Sequence, residues 1–151
     1  MARTPHEFDD AGLAEAWLAA QRVAVVEFLA AQQDLVHGRV GDRPAWHVAP
    51  YVSVWAIESA KRRGWVGWWV IAGDLPTDYC TAESPAHPRK ALAVIAARWL
   101  AYVEAVRAGT PPPSFRLHAV EQDPDTMLPL LEARAKLLAD FAADDSLWLE
   151  D

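Results

Sequence analysis

The chain has 151 residues, of which 52% are hydrophobic, and its formal net charge is −7. This length fits one domain with a sizeable core, and this composition excludes intrinsic disorder for most of the chain. The acidic charge argues against a nucleic-acid-binding protein, and a single cysteine excludes an internal disulfide. We predict one compact domain over residues 1–151, with loose tails at 1–8 and 144–151.

The cellular location is predicted from what the sequence does not contain. Residues 1–10 become acidic before any apolar stretch begins, which is not the pattern of a signal peptide. No apolar run approaches the ~20 residues that a membrane span needs. We therefore expect a cytoplasmic protein that binds neither membranes nor nucleic acid.

The first predicted element is a helix over residues 10–34. Asp9 or Asp10 is a suitable N-cap, and Gly38 follows the end of the apolar pattern. One apolar stripe recurs at steps of three and four residues, and it consists of Leu13, Trp17, Ala20, Ala24, Phe28, Ala31 and Leu35. Leu18, Val25 and Leu29 widen this stripe.

Two strands are predicted next, at residues 51–59 and 65–72, because both segments are rich in Val, Ile, Trp and Tyr. The link between them contains the basic cluster Lys61-Arg62-Arg63, which we interpret as the solvated tip of a hairpin. We group Trp55 with Trp69 on one face of this hairpin. Both faces are apolar, which predicts helices on both faces, or a helix on one face and a partner on the other.

The remaining elements are mostly helical. Residues 88–108 form the clearest predicted helix, with Trp99 on its apolar stripe. Residues 115–120 alternate weakly and are a candidate third strand. A last helix is predicted over 126–143, in which Pro129 is acceptable only in the first turn. The fold class is therefore α+β, with an antiparallel hairpin or a three-stranded sheet packed by about three helices.

The central segment carries a distinctive pattern of Trp, Pro and Gly. The matching runs are Pro44 to Tyr51, Trp55 to Glu58 and Gly67 to Tyr79, followed by Pro88-Arg89. Together they resemble a family of small uncharacterised bacterial proteins, a domain of unknown function. The resemblance covers about the middle half of the chain and implies a compact cytosolic domain. It implies no activity.

Residues 73–79 are predicted to form a loop after the second strand. Asp74 and Asp78 have two interpretations there. Either they accept hydrogen bonds from nearby backbone N–H groups, or they converge to bind a cation or to divide acid and base roles. The ligand pattern of a calcium loop is missing, so we expect no metal site and no cofactor.

His47 precedes the first strand, where it is a candidate general base or a group that holds the loop. Cys80 follows Tyr79 and is expected to be a buried thiol, because a nucleophile also needs a base within hydrogen-bond reach. No phosphate-binding, dinucleotide-binding or nucleophile-elbow motif is present in the sequence.

Tryptophan is concentrated in the same region, with five of the eight residues between Trp46 and Trp69. Because Trp68 and Trp69 are adjacent in a strand, their side chains point to opposite faces. Tryptophan is enriched at the centres of protein interfaces. Two arrangements therefore remain open, an exposed aromatic surface and a core covered on both sides.

Two functions follow from these features. The first is a non-enzymatic protein-binding module, such as an inhibitor or an immunity-type antitoxin that acts on a basic partner. Its expected binding residues are Trp46, Trp68, Trp69, Asp74, Asp78 and Tyr79. The alternative is a small enzyme or ligand-binding domain, with a pocket around His47, Asp74, Asp78 and Tyr79. A homo-oligomer is compatible with either function.

Overall fold

The computed structural model describes residues 11–113, 115 and 117–149. Its contacts divide the chain into two compact units, of which one ends at Ala91 and the other begins at Leu92. The two units are described in turn. The α+β class is confirmed, and the helices contain more of the described residues than the strands do.

The first unit contains one long helix and five strands. Helix α1 spans Ala11–Ala31. The strands are β1 His37–Val40, β2 Trp46–Val48, β3 Val52–Ser59, β4 Val66–Gly73 and β5 Leu75–Thr81. Every strand pair is antiparallel, the order is β1-β3-β4-β5, and β2 also pairs with β3. The predicted hairpin is thus the centre of a sheet with three more strands, rather than a sheet of two or three.

The register of the central hairpin differs from the predicted grouping by one residue. Glu58 pairs with Val66, whereas Ile57 pairs with Trp68, so that Gly67 is an extra residue in β4. Such a bulge moves every later side chain to the other face. Trp55 consequently lies opposite Val70, and the predicted grouping of Trp55 with Trp69 was wrong.

One face of the sheet packs on α1. The buried cluster there consists of Val25, Leu29, Trp55, Ile57, Val70 and Ala72. Phe28 of α1 and Trp68 of β4 pack against this cluster and are partly buried. The residues that appeared only to widen the α1 stripe are therefore its most buried ones. They are Leu18, Val25 and Leu29.

The opposite face of the sheet is also buried. Val52, Val54 and Ile71 are fully buried, and Trp69 is 4% exposed. The apolar pattern on both faces of the hairpin therefore reflects two buried faces in the folded chain.

A buried polar network connects the two central strands. The indole nitrogen of Trp55 donates to Ser53 Oγ at 2.8 Å, and this hydroxyl donates to the carbonyl oxygen of Ala72, also at 2.8 Å. Ser53 and Trp55 are both fully buried. The hydroxyl thus satisfies a donor and an acceptor that water does not reach.

Ser53→Ala should lower the free energy of unfolding by about 1–3 kcal/mol, because it leaves the Trp55 indole N–H without its buried acceptor. Urea unfolding measures the change. Trp55→Phe provides the control background, in which the same Ser53→Ala replacement should cost less. An equal cost in both backgrounds would show that the indole hydrogen bond contributes nothing.

The second unit is helical. Helix α2 spans Pro88–Arg107 and continues into this unit, α3 spans His118–Gln122, α4 spans Pro124–Ala143, and a 3₁₀ helix spans Asp145–Trp148. The fully buried side chains of its core include Leu92, Ile95, Trp99, Val103 and Leu138, and Tyr102 is 2% exposed. Arg107 and Glu132 form an ion pair between α2 and α4 at 2.8 Å.

Two predictions about this unit were wrong. Residues 118–120, expected as the end of a strand, begin helix α3 instead. Pro129 lies inside α4, because that helix already begins at Pro124. Pro124 takes the first helical position, where a missing N–H costs nothing. The helix therefore begins two residues earlier than the predicted start at residue 126.

Part of the predicted C-terminal tail is ordered. Trp148 of the 3₁₀ helix donates its indole N–H to the carbonyl oxygen of Phe141 at 2.8 Å. Asp144 Oδ1 accepts from the backbone N–H of Ser146 at 3.0 Å and so caps this short helix. The other predicted tail, at 1–8, lies outside the described residues.

Candidate functional site

The expected acidic loop is largely a strand. Asp74 alone separates β4 from β5, and its backbone N–H donates to the carbonyl oxygen of Tyr51 at 3.0 Å. Leu75 to Thr81 then pair with β4. Pro76 suggested a loop, but β5 lies at the edge of the strand order, where a strand tolerates proline.

Asp74 and Asp78 do not converge. Asp74 is exposed at the turn, whereas Asp78 lies four residues along β5, is 7% exposed and pairs with Ile71. At ~3.3 Å per residue, four residues of a strand span roughly 13 Å. Asp78 Oδ1 accepts from the backbone N–H of Tyr79 at 2.8 Å. A hydrogen bond from a nearby backbone N–H is what the first of the two interpretations of these aspartates predicts. The two carboxylates cannot share one cation or one proton.

Tyr79 and His47 lie apart from Asp78. Tyr79 packs on the α1 side of the sheet, with its ring centroid 5.7 Å from Phe28 and 5.8 Å from Trp68. Asp78, its neighbour in β5, points to the other face. His47 is exposed on β2, three strands away from β5. The geometry therefore does not gather these side chains around a pocket.

His47 lies beside helix α1. Its ring centroid is 6.3 Å from that of Trp17 on α1. Partial burial lowers the pKa of His47, the charge of Arg43 lowers it further, and Glu15 opposes both effects. Arg43 and Glu15 form a two-point ion pair at 2.9 and 3.0 Å, which connects α1 to the segment before β2. The ion pair and the ring contact both join α1 to the region of β2.

The tryptophans expected at a binding surface differ in exposure. Trp46 is partly buried in β2, and Trp68 is partly buried and donates its indole N–H to the carbonyl oxygen of Val36 at 3.2 Å. Trp69 belongs to the core. The exposed tryptophan of this region is Trp65, at 54%. An aromatic anchor is thus available at the hairpin tip rather than on a face of the sheet.

We define the hairpin tip as residues 59–66, which join β3 to β4. The tip is held by several hydrogen bonds. Ser59 Oγ accepts from the backbone N–H groups of Lys61 and Arg62 at 3.2 Å. Glu58 Oε2 accepts from the Gly64 N–H at 3.0 Å, and Glu58 Oε1 accepts from the Arg39 N–H at 3.4 Å. The Gly64 N–H, followed by the Arg39 N–H, lowers the pKa of Glu58 and keeps this carboxyl ionised.

The tip combines an exposed aromatic ring with positive charge. The guanidinium of Arg62 lies over the Trp65 ring, 3.9 Å from its centroid. Lys61, Arg63 and Arg39 are exposed nearby. Stacking of this kind holds the arginine and the ring in one orientation.

Grooves lie on both sides of Trp65. The larger has a volume of about 630 Å³ and separates the tip from residues 82–86. A smaller one of about 230 Å³ runs toward β1 and is lined by Arg39, Val40 and Glu58. Ligand-binding clefts commonly have volumes of ~300–1,000 Å³. The larger groove falls in this range, as does a groove of about 580 Å³ lined by His37, Arg39 and Arg63 among others. We take the larger groove as the candidate site because Arg62 and Trp65 line it.

The hairpin tip was not predicted as a binding site. Lys61-Arg62-Arg63 was interpreted as the solvated tip of a hairpin, and Trp65 was placed at the start of a strand. The signal present in the sequence was an arginine and a tryptophan on either side of Gly64, close to a predicted turn.

Among the described residues, no three or more His, Cys, Asp or Glu side chains are arranged to hold a metal ion. None of the helices described above is long and apolar enough to cross a membrane.

The structure defines an α+β protein that carries a cationic, aromatic hairpin tip beside a groove. The chain matches, over residues 12–148, the model of a family described as a domain of unknown function, DUF4826, and belongs to that family. The predicted resemblance to a domain of unknown function is thereby confirmed. No curated protein and no solved structure matched the chain.

Proposed function

We propose that this protein is a non-enzymatic protein-binding module, of the inhibitor or immunity-type antitoxin kind, that contacts its partner through the hairpin tip. The observation that carries the proposal is the exposed Trp65 with Arg62 stacked on it. Tryptophan and arginine are the residues most enriched among those that dominate binding energy at interfaces. The proposal includes a cytoplasmic location.

The order of the tip supports this role. Glu58 and Ser59 fix its backbone through hydrogen bonds to residues 61, 62 and 64. A surface that is already ordered loses less conformational entropy when it binds. The tip therefore offers a preformed anchor.

The experiment compares partner capture by the tagged wild-type chain with capture by Trp65→Ala, using extracts of the native host. Val23→Ala is the matched control, because Val23 is 56% exposed on α1 and lies outside the tip. Trp65→Ala should lose the partner and Val23→Ala should retain it. Equal capture by all three proteins would refute a binding role for the tip.

A basic partner is a second candidate, and the distribution of charge supports it. Residues 92–151 contain ten Asp and Glu against five Lys and Arg, whereas residues 1–91 contain eleven against nine. Glu121, Asp123 and Asp125 are exposed where α3 meets α4. An acidic region of this kind accelerates encounter with a basic protein.

Replacing acidic residues of the second unit tests whether they attract a basic partner. The measurement is the rate at which the captured partner associates with each variant. Asp123→Asn combined with Asp125→Asn should lower the association rate and weaken its dependence on salt. Glu27→Gln is the control, since Glu27 is an exposed carboxylate of α1 in the first unit. An unchanged salt dependence in the double variant would exclude this region as the recognition surface.

A further inference from the structure

We propose that the groove beside Trp65 binds an acidic peptide segment that carries an apolar side chain. The apolar side chain packs beside the Trp65 ring, and the carboxylates of the segment pair with Arg62 and its cationic neighbours. This inference rests on the proposed function and specifies the chemistry of the ligand at the same tip.

The lining of the groove is suited to an apolar side chain with polar neighbours. One wall is formed by Arg62, Gly64 and Trp65 of the tip, and the opposite wall by residues 82–86. Val66 and Gly67 complete the lining, and the backbone N–H of Ala82 donates to the Gly67 carbonyl at 3.0 Å. This hydrogen bond fixes the two walls relative to each other. The shape of the groove is therefore maintained by the backbone of the first unit.

The charge at the tip is opposite in sign to that of the whole chain. Lys61, Arg62 and Arg63 are all exposed there, in a protein whose net charge is −7, and Arg62 lines the groove itself. Glu58 lies nearby as an ionised carboxylate that accepts the backbone N–H groups of Gly64 and Arg39 and interacts with the charges of Arg39 and Arg63. Glu83 adds one acidic group to the far wall. The excess of cations favours a ligand with carboxylates.

Arg62 has a specific part in this recognition. Its guanidinium lies over the Trp65 ring, so the group is held beside the groove rather than extended into water. A guanidinium can bind a carboxylate through two parallel hydrogen bonds. An apolar residue on the ring and a carboxylate on the guanidinium are therefore bound side by side.

A peptide fits these features better than a nucleic acid. Binding to a phosphate backbone depends on releasing counterions from many phosphates, and it needs an extended basic surface. The tip offers three cations, and the remainder of the chain carries a net negative charge that repels polyanions. An acidic peptide needs only one or two ion pairs, together with the buried apolar contact.

The test measures fluorescence anisotropy of a labelled synthetic peptide in which Glu alternates with Leu and Trp, titrated with the full chain. The wild-type protein should bind it, with an affinity that falls as salt increases. The matched peptide with Gln in place of every Glu should bind at least about tenfold more weakly. Labelled oligothymidylate is the third probe, and it tests whether the groove prefers a nucleic acid to the acidic peptide.

Variants locate the binding. Trp65→Ala and Arg62→Gln should each weaken the Glu peptide at least about tenfold, and Val23→Ala should leave its affinity unchanged. Circular dichroism of each variant verifies that the fold is retained. Failure of the Glu peptide to bind, equal binding of the Gln peptide, tighter binding of the oligonucleotide, or equal binding by folded Trp65→Ala would each overturn the inference. Trp65-dependent capture of the native partner would, in that case, leave the proposed function standing.

Discussion

Trp99→Ala should lower the free energy of unfolding by about 3–5 kcal/mol, which is the usual cost of emptying a buried aromatic site. Trp99 lies in α2 and has no exposed surface. The replacement removes a large apolar contact and leaves a cavity that a close-packed interior fills only in part. Chemical denaturation followed by circular dichroism measures the loss.

Val94→Ala is the control on the same helix, since Val94 is 48% exposed. A change within ~0.5 kcal/mol is expected for such a surface position. If Trp99→Ala cost no more than Val94→Ala, the packing described for α2 would be wrong.

Gly73→Ala should destabilise the chain by at least about 3 kcal/mol, the upper end of what overpacking usually costs. Gly73 ends β4 where the chain turns at Asp74. A Cβ atom there would overlap the carbonyl oxygen of Tyr51 and lie 2.9 Å from the Cα of Val52. Both obstacles are backbone of the neighbouring segment, so the sheet itself has to shift. Thermal and urea unfolding report the change.

Gly64→Ala provides the comparison. Gly64 has φ +82°, but a Cβ at this position would meet nothing within 4 Å. Only the left-handed backbone conformation then costs energy, about 1–2 kcal/mol. Equal losses at Gly73 and Gly64 would contradict the close approach of Tyr51 to the turn.

The helices were predictable because their apolar spacing is local information. The predicted helix at 88–108 agrees with α2, and the predicted helix at 10–34 contains α1. The two central strands were also located correctly. Three more strands were missed, because β1 and β2 are short and β5 begins with Leu75-Pro76, a composition typical of loops.

The register could not be predicted from the apolar pattern. Both faces of the hairpin are apolar, so a slip of one residue leaves the pattern almost equally favourable. The register is set by the bulge at Gly67. A residue with a Cβ atom does not fit there, because the Cβ would lie 2.9 Å from the Cα of Ser59. This contact depends on three-dimensional proximity, which a single sequence does not contain.

The candidate site was predicted in its region but not in its residues. The tryptophan-rich central segment does contain the exposed ring, but that ring is Trp65. Trp69 is buried and Asp78 is nearly so. Exposure depends on the register and on what covers each face, and both are tertiary properties.

The two hydrogen bonds of Glu58 couple parts of the chain that are distant in sequence. One carboxylate connects the amide of Arg39 in β1 with that of Gly64 at the tip. Opening of either segment breaks a bond that also restrains the other, so their amide protons should exchange with solvent as one cooperative unit. We therefore expect the edge of the sheet and the hairpin tip to open together, so that a ligand that immobilises Trp65 should also slow exchange at Arg39.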